Sequence, residues 1–216
     1  MRVNRGIRAR TGHSKGHPRR HRTPRVAAAG ARPRGCYHRA VHSLTRDVIL
    51  RALSLLAERL PPGEAPVDLI LVGGAAMVLL FGARESTKDV DAFSVDPQAA
   101  TSVAKAATDV AAALGLPDDW LNDAAKGYAH GLALGPVLLE TPTLRVQTTS
   151  VAQLLAMKLS AWRDDLDVED ARRLLKECQQ SRDEVWQQVE RHVVPGRELK
   201  ARYAFDDLWE KEYGSA

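Results

Sequence analysis

The chain of 216 residues has room for one or two small domains with a proper core, and no apolar stretch reaches the length of a membrane span. Its net charge of +4 is unevenly spread: residues 1–40 hold twelve Lys or Arg and no acid, which leaves 19 basic and 27 acidic residues beyond them, a net of −8. A body of that sign does not indicate a general nucleic-acid binder. The two cysteines, Cys36 and Cys178, lie far apart and exclude a disulfide scaffold; with no signal peptide in view they predict a reducing, cytoplasmic setting.

Residues 1–42 are rich in Arg, Gly, Pro and His and poor in large apolar side chains, which predicts a disordered basic tail. Such a tail suits an arm touching RNA or DNA phosphates, a targeting peptide, or a segment with no specific role. His13, His17 and His21 recur every four residues, but Gly16 and Pro18 oppose the helix that a metal site would need. Thr45 then caps a helix to about Leu60, with Ile49, Leu53, Leu56 and Leu60 on its apolar face, and Pro61-Pro62-Gly63 ends it.

The stretch from Leu69 to Phe93 organises the rest. Leu69–Val72 reads as a buried strand, Gly73-Gly74 as a sharp corner, and Ala75–Phe81 as a short buried helix closed by Gly82. The next strand carries Asp89 and Asp91, whose spacing puts both carboxylates on one side while Val90 faces the core. Two such acids repel unless a divalent cation sits between them. A dinucleotide fingerprint would need glycine where Ala75 and Val78 stand, and the Gly-Lys-Ser/Thr of a P-loop is absent. Strand, Gly-Gly, helix and Asp-x-Asp, bridged by Arg84–Lys88, resemble the nucleotidyltransferase fold of the polymerase-β type. In that family the glycine backbone cradles a triphosphate and the aspartates hold Mg²⁺.

Past a turn at Asp96-Pro97, an alanine-rich helix is expected from about Gln98 to Leu114, ended by Gly115. Leu116–Asp123 reads as a polar turn in which Asp118 or Asp119 caps a short helix. Trp120 is expected in the core, with stacking on a base as the alternative. Val137–Glu140 and Leu144–Thr148 predict a hairpin around Pro142. Polymerase-β-type enzymes take a third carboxylate near here; Arg145 and Gln147 stand at the exposed positions, leaving Glu140 as the nearest substitute.

From Ser150 a capped helix carries Lys158 among Leu154, Leu155, Ala161 and Trp162, where an ammonium needs an anion, either a triphosphate or one of the paired aspartates. Its stem lying along apolar surface with the charge in water is the plainer alternative. Asp167-Val-Glu-Asp170 opens the next helix, with Asp167 as the N-cap. Two further helices follow, broken at Pro195-Gly196, with Trp186, Val189 and Val193 on one apolar stripe and Tyr203, Leu208 and Trp209 on another.

Together, Gly-Gly, Arg-x-Ser-Thr-Lys-Asp-x-Asp, Trp-Leu-Asn-Asp and Leu-Leu-Ala-Met-Lys-x-x-Ala-x-Arg followed by Asp-x-x-Asp resemble the AbiEii/MenT-like nucleotidyltransferases over about residues 67–176. That group includes toxins of toxin–antitoxin and phage-defence systems. The resemblance implies catalytic roles for Asp89, Asp91, Lys158 and Asp170, with Asp167 as the alternative to Asp170. It implies nucleotide contacts from Gly73, Gly74, Arg84 and Lys158, and Mg²⁺ on Asp89 and Asp91. The fold expected is α/β (α+β), a small mixed sheet of four or five strands with helices on one face and a helical C-terminal part. Its divisions are a tail over 1–42, a sheet domain over 43–150 and a helical part over 151–216 that completes the cleft. The function implied is transfer of NMP from an NTP to a tRNA or protein hydroxyl, with a cognate antitoxin as a further partner; a nucleotide-binding module without turnover is the alternative.

Overall fold

The structure is a computed structural model and describes residues 43–214; the basic tail, its three histidines and Cys36 lie outside the described residues. Strand β1 (Leu44–Thr45) leads into helix α1 (Arg46–Arg59), where Thr45 takes the extended N-cap position without a side-chain capping bond. Ile49, Leu53, Leu56 and Leu60 are all buried, as their spacing requires.

Strand β2 (Val67–Val72) runs straight into helix α2 (Gly73–Phe81), which Gly82 closes in the left-handed conformation. Strands β3 (Ser86–Thr87) and β4 (Val90–Ser94) follow, then a 3-10 turn over Pro97–Ala99 and helix α3 (Ala100–Leu114). Strand β5 (Leu121–Asn122), a 3-10 turn over Ala124–Tyr128, and the hairpin of β6 (Leu134–Glu140) and β7 (Leu144–Thr149) come next. Helices α4 (Val151–Ala161), α5 (Asp165–Glu177), α6 (Arg182–Val189) and α7 (Glu198–Tyr213) complete the described chain.

The main sheet has five strands in the order β5-β4-β2-β7-β6, and β1 pairs separately with β3. Strand β2 is antiparallel to β4 and parallel to β7, so the sheet is mixed, as expected. Leu69 and Leu71 on one face of β2, and Ile70 and Val72 on the other, are at most 1% exposed. Both faces of the central strand are therefore covered, rather than one. A continuous run of four branched side chains demands that, since an open face would strand two of them in water.

The segment after α3 departs from expectation. Neither Asp118 nor Asp119 caps a helix; Leu121 and Asn122 instead pair in parallel with Val90 and Asp91. Edge pairing with β4 overrides the local helix signal; the turn beyond has Asp123 at its N-cap without a side-chain capping bond, and Asn122 Oδ1 accepts the Ala124 amide at 3.0 Å. Trp120 is fully buried and its indole donates to the Ala107 carbonyl at 3.0 Å, so it is a core anchor and unavailable for base stacking. In the C-terminal part Trp186, Phe205, Trp209 and Tyr213 form a chain of rings 4.6–5.7 Å apart. Val189, Val193 and Leu208 are buried there as expected, whereas Tyr203 is 70% exposed. Among the described residues no helix is long and apolar enough to cross a membrane.

Candidate active site

The site begins at the corner between β2 and α2. Gly73 has φ +64°, and a Cβ there would lie 2.6 Å from Asp91 Oδ2; a Cβ on Gly74 would run into the Thr87 hydroxyl. Both positions therefore demand glycine, one for its backbone and both for the close approach of a neighbouring side chain. The amides of the first turn of α2 have no acceptor within the helix, and both glycines open onto a cavity of about 740 Å³.

Asp89 immediately precedes β4 and Asp91 lies within it, on either side of a fully buried Val90. Both carboxylates face the cavity. Burial, and after it the charge on Asp89, raises the pKa of Asp91, while the Ala125 amide and the charges of Lys158 and Arg163 pull it the other way. Asn122 donates to Asp89 Oδ2 at 3.1 Å, and since its Oδ1 is engaged by Ala124, its amide can turn only one way. Neither aspartate forms an ion pair with any described residue; of the cations lining the cavity, Arg84, Lys158 and Arg163 are engaged by Asp167 and Asp170.

Those cations belong to a second cluster across the cavity. Lys158 on α4 donates to Asp167 Oδ1 at 2.9 Å and reaches Asp170 Oδ2 at 2.7 Å. Asp170 is also bound by Arg84, and Asp167 accepts from the Arg163 guanidinium at 3.0 Å and its amide at 3.1 Å. Burial alone would raise the pKa of Asp167, but the hydrogen bonds from Arg163 and the charge and hydrogen bond of Lys158 outweigh it and hold the pKa down at about 2.

Several expectations change here. Lys158 does meet carboxylates, yet they are those of α5; its charge acts on Asp91 without an ion pair. The N-cap of α5 is Asp164, which accepts the Asp167 amide at 3.0 Å, because Asp167 is spent on Lys158 and Arg163. Asp167 lines the cavity, whereas Asp170 stands behind its wall. Glu140 is no substitute acid: it pairs with Arg145 at 2.9 Å, and Arg145 lies opposite Asp68 near the start of β2, at the far end of the strand from Gly73. At the cavity end β7 has Thr148 and Thr149, both buried, so a third sheet carboxylate is missing there. Asn122 and Tyr128 were not singled out from the sequence; Asn122 stood inside the Trp-Leu-Asn-Asp motif, and Tyr128 carried no local signal.

The donor set fits Mg²⁺ in one respect. Two co-directed carboxylates without a cationic partner suit an ion that takes one or two protein acids and completes its shell with water and phosphate oxygens. Among the described residues no group of three His, Cys, Asp or Glu side chains is gathered to hold an ion alone. The cavity size lies within the roughly 300–1,000 Å³ of small-molecule sites.

A mixed five-stranded sheet, a glycine corner and an adjoining Asp-x-Asp on one cavity define a nucleotidyltransferase-type domain. The family described as nucleotidyltransferase of unknown function (DUF6036) matches residues 49–182, and the chain belongs to that family. The match does not extend to the AbiEii/MenT-like subgroup. No curated protein and no solved structure matches the chain.

Proposed function

We propose that the protein transfers a nucleoside monophosphate from an NTP to an acceptor hydroxyl and releases pyrophosphate. The observation that carries this reading is the pair Asp89 and Asp91, co-directed and without an ion-pair partner among the described residues, opening onto the same cavity as Gly73, Gly74 and Lys158. A Mg²⁺ on the two aspartates would supply Lewis acidity and charge neutralisation at the phosphates. The chain's own groups do the rest. Amides of the first turn of α2 hold phosphate oxygens, and Lys158 and Arg84 offset their charge. The acceptor oxygen forms its bond to the α-phosphorus as the bond to the pyrophosphate oxygen breaks, and the acceptor's proton passes to a nearby carboxylate or to water. Asp170, held by two cations, acts here as a positioning group for Lys158 and Arg84 rather than as the base. Asp167, on the cavity wall, holds Lys158 and Arg163 in the same way.

The family resemblance suggests tRNA 3′ ends or a protein hydroxyl as acceptor, and an antitoxin as partner. A second reading, a binding module without turnover, draws support from β7, which carries no carboxylate anywhere along Leu144–Thr149. Purified protein incubated with the four α-labelled NTPs, Mg²⁺ and total tRNA separates the two. Label transfer that Asp89→Ala reduces at least a thousandfold supports the enzyme. NTP binding with no transfer to RNA or protein overturns it in favour of the module.

A further inference from the structure

We infer that Tyr128 is the platform on which the base of the bound nucleotide stacks, an inference that rests on the nucleotide-transfer reading. Among the described residues that line the cavity it is the one aromatic side chain. A purine or pyrimidine in a water-lined cleft gains most from a flat π surface, and such stacking tolerates every base. The ring's position fits. It ends the 3-10 turn over Ala124–Tyr128, whose Ala125 amide faces Asp91, so the ring stands one short turn from the phosphate end of the cavity.

The ring is also held in advance. The Arg197 guanidinium lies 5.4 Å from its centroid, against one face. The loop beyond it is pinned by Gln153, a fully buried side chain on α4. Its Nε2 donates to the His130 carbonyl at 3.1 Å, and its Oε1 accepts from the Ala133 amide at 2.8 Å. His192 Nδ1 lies 3.2 Å from that same carbonyl. A buried glutamine with both ends committed to one loop fixes that loop, and with it the ring. The Arg163 side chain, 64% exposed, lines the same cavity as Tyr128. Packing alone is the competing account of Tyr128, and it predicts no preference for a ligand with a base.

The test is calorimetric binding of the four NTPs and of tripolyphosphate, each with Mg²⁺, to the full-length protein and to Tyr128→Phe and Tyr128→Leu. Tripolyphosphate isolates the phosphate half of the site. The inference expects Tyr128→Phe within twofold of the parent for every ligand. Tyr128→Leu should weaken each NTP about 10- to 100-fold and leave tripolyphosphate unchanged. Unchanged NTP binding by Tyr128→Leu overturns the stack while leaving nucleotide transfer standing, and so does equal weakening of tripolyphosphate. A parent protein that binds neither ligand overturns the transfer reading itself. Tyr128→Trp gives an independent arm if Tyr128→Leu does not fold: NTPs should quench the added indole emission and tripolyphosphate should not, and equal or absent quenching by NTPs contradicts the inference.

Discussion

Asp91 and Asp167 carry the same functional group and contribute to folding with opposite sign. Asp91 has its folded-state pKa raised by burial and by Asp89, so its ionised form opposes folding at neutral pH, and that cost fades as pH falls through the raised value. Asp91→Asn should therefore raise the melting temperature of the metal-free protein by a few degrees, at about 2–4 °C per kcal/mol. It should also remove any stabilisation by Mg²⁺; thermal melts with and without the ion check both. For Asp167 the folded pKa, about 2, lies below the ordinary 3.8. Its contribution is fully present above the ordinary value and is lost as pH falls through about 2. An acid titration of stability should thus fall less steeply between pH 4 and 2 in Asp167→Asn than in the parent. Asn122 works through geometry: Asn122→Ala frees Asp89, and since a hydrogen bond to a charged group is worth roughly 1.5–3 kcal/mol, the rate of transfer should drop about tenfold or more with the fold intact.

At the scale of elements, two junctions decide the site. At the first, β2 passes into α2 through glycines that leave room for Asp91 and Thr87. Gly73→Ala should cost about 1–3 kcal/mol in urea unfolding, since the new Cβ must accept a left-handed backbone and displace the Asp91 carboxylate. The second junction is α4 against α5. Removing Lys158 leaves buried Asp170 with Arg84 alone and Asp167 with Arg163 alone. Lys158→Met should cost about 3 kcal/mol, and adding Asp170→Asn should restore part of it, as a double-mutant cycle would register.

These junctions also mark how far the sequence could be read. The glycine corner, Gly82 and Gly115 as helix ends, and the inward face of α1 each follow from a local pattern, and each is found where that pattern sets it. The Asp-x-Asp pair was legible because alternation along a strand fixes which side chains share a face. The cap of α5 was misread as Asp167 because its true partners, Lys158 and Arg163, come from the preceding helix and its end. Lys158 itself was legible as an ammonium in need of an anion, though not which anion.

For the molecule as a whole, the sheet and helical segments drawn from the sequence both contribute walls to one cavity, acidic on the sheet side and ion-paired on the helix side. What the sequence hid was long-range: the two-residue strand β5, which turns Asn122 onto Asp89, and the fully buried Gln153, which holds the loop behind Tyr128. Neither has a periodicity to announce it, since each exists only through a partner distant in the chain. The acidic balance of the body beyond residue 40 fits a site that meets its nucleotide through a cation rather than through bare positive charge. The central claim is that Asp89 and Asp91 hold a divalent cation together with a nucleotide. Manganese titration followed by electron paramagnetic resonance, with ATP present, reads it most directly. One tightly bound ion per chain is expected, lost in Asp89→Asn and in Asp91→Asn; binding that is the same in both variants as in the parent would contradict a shared cation site.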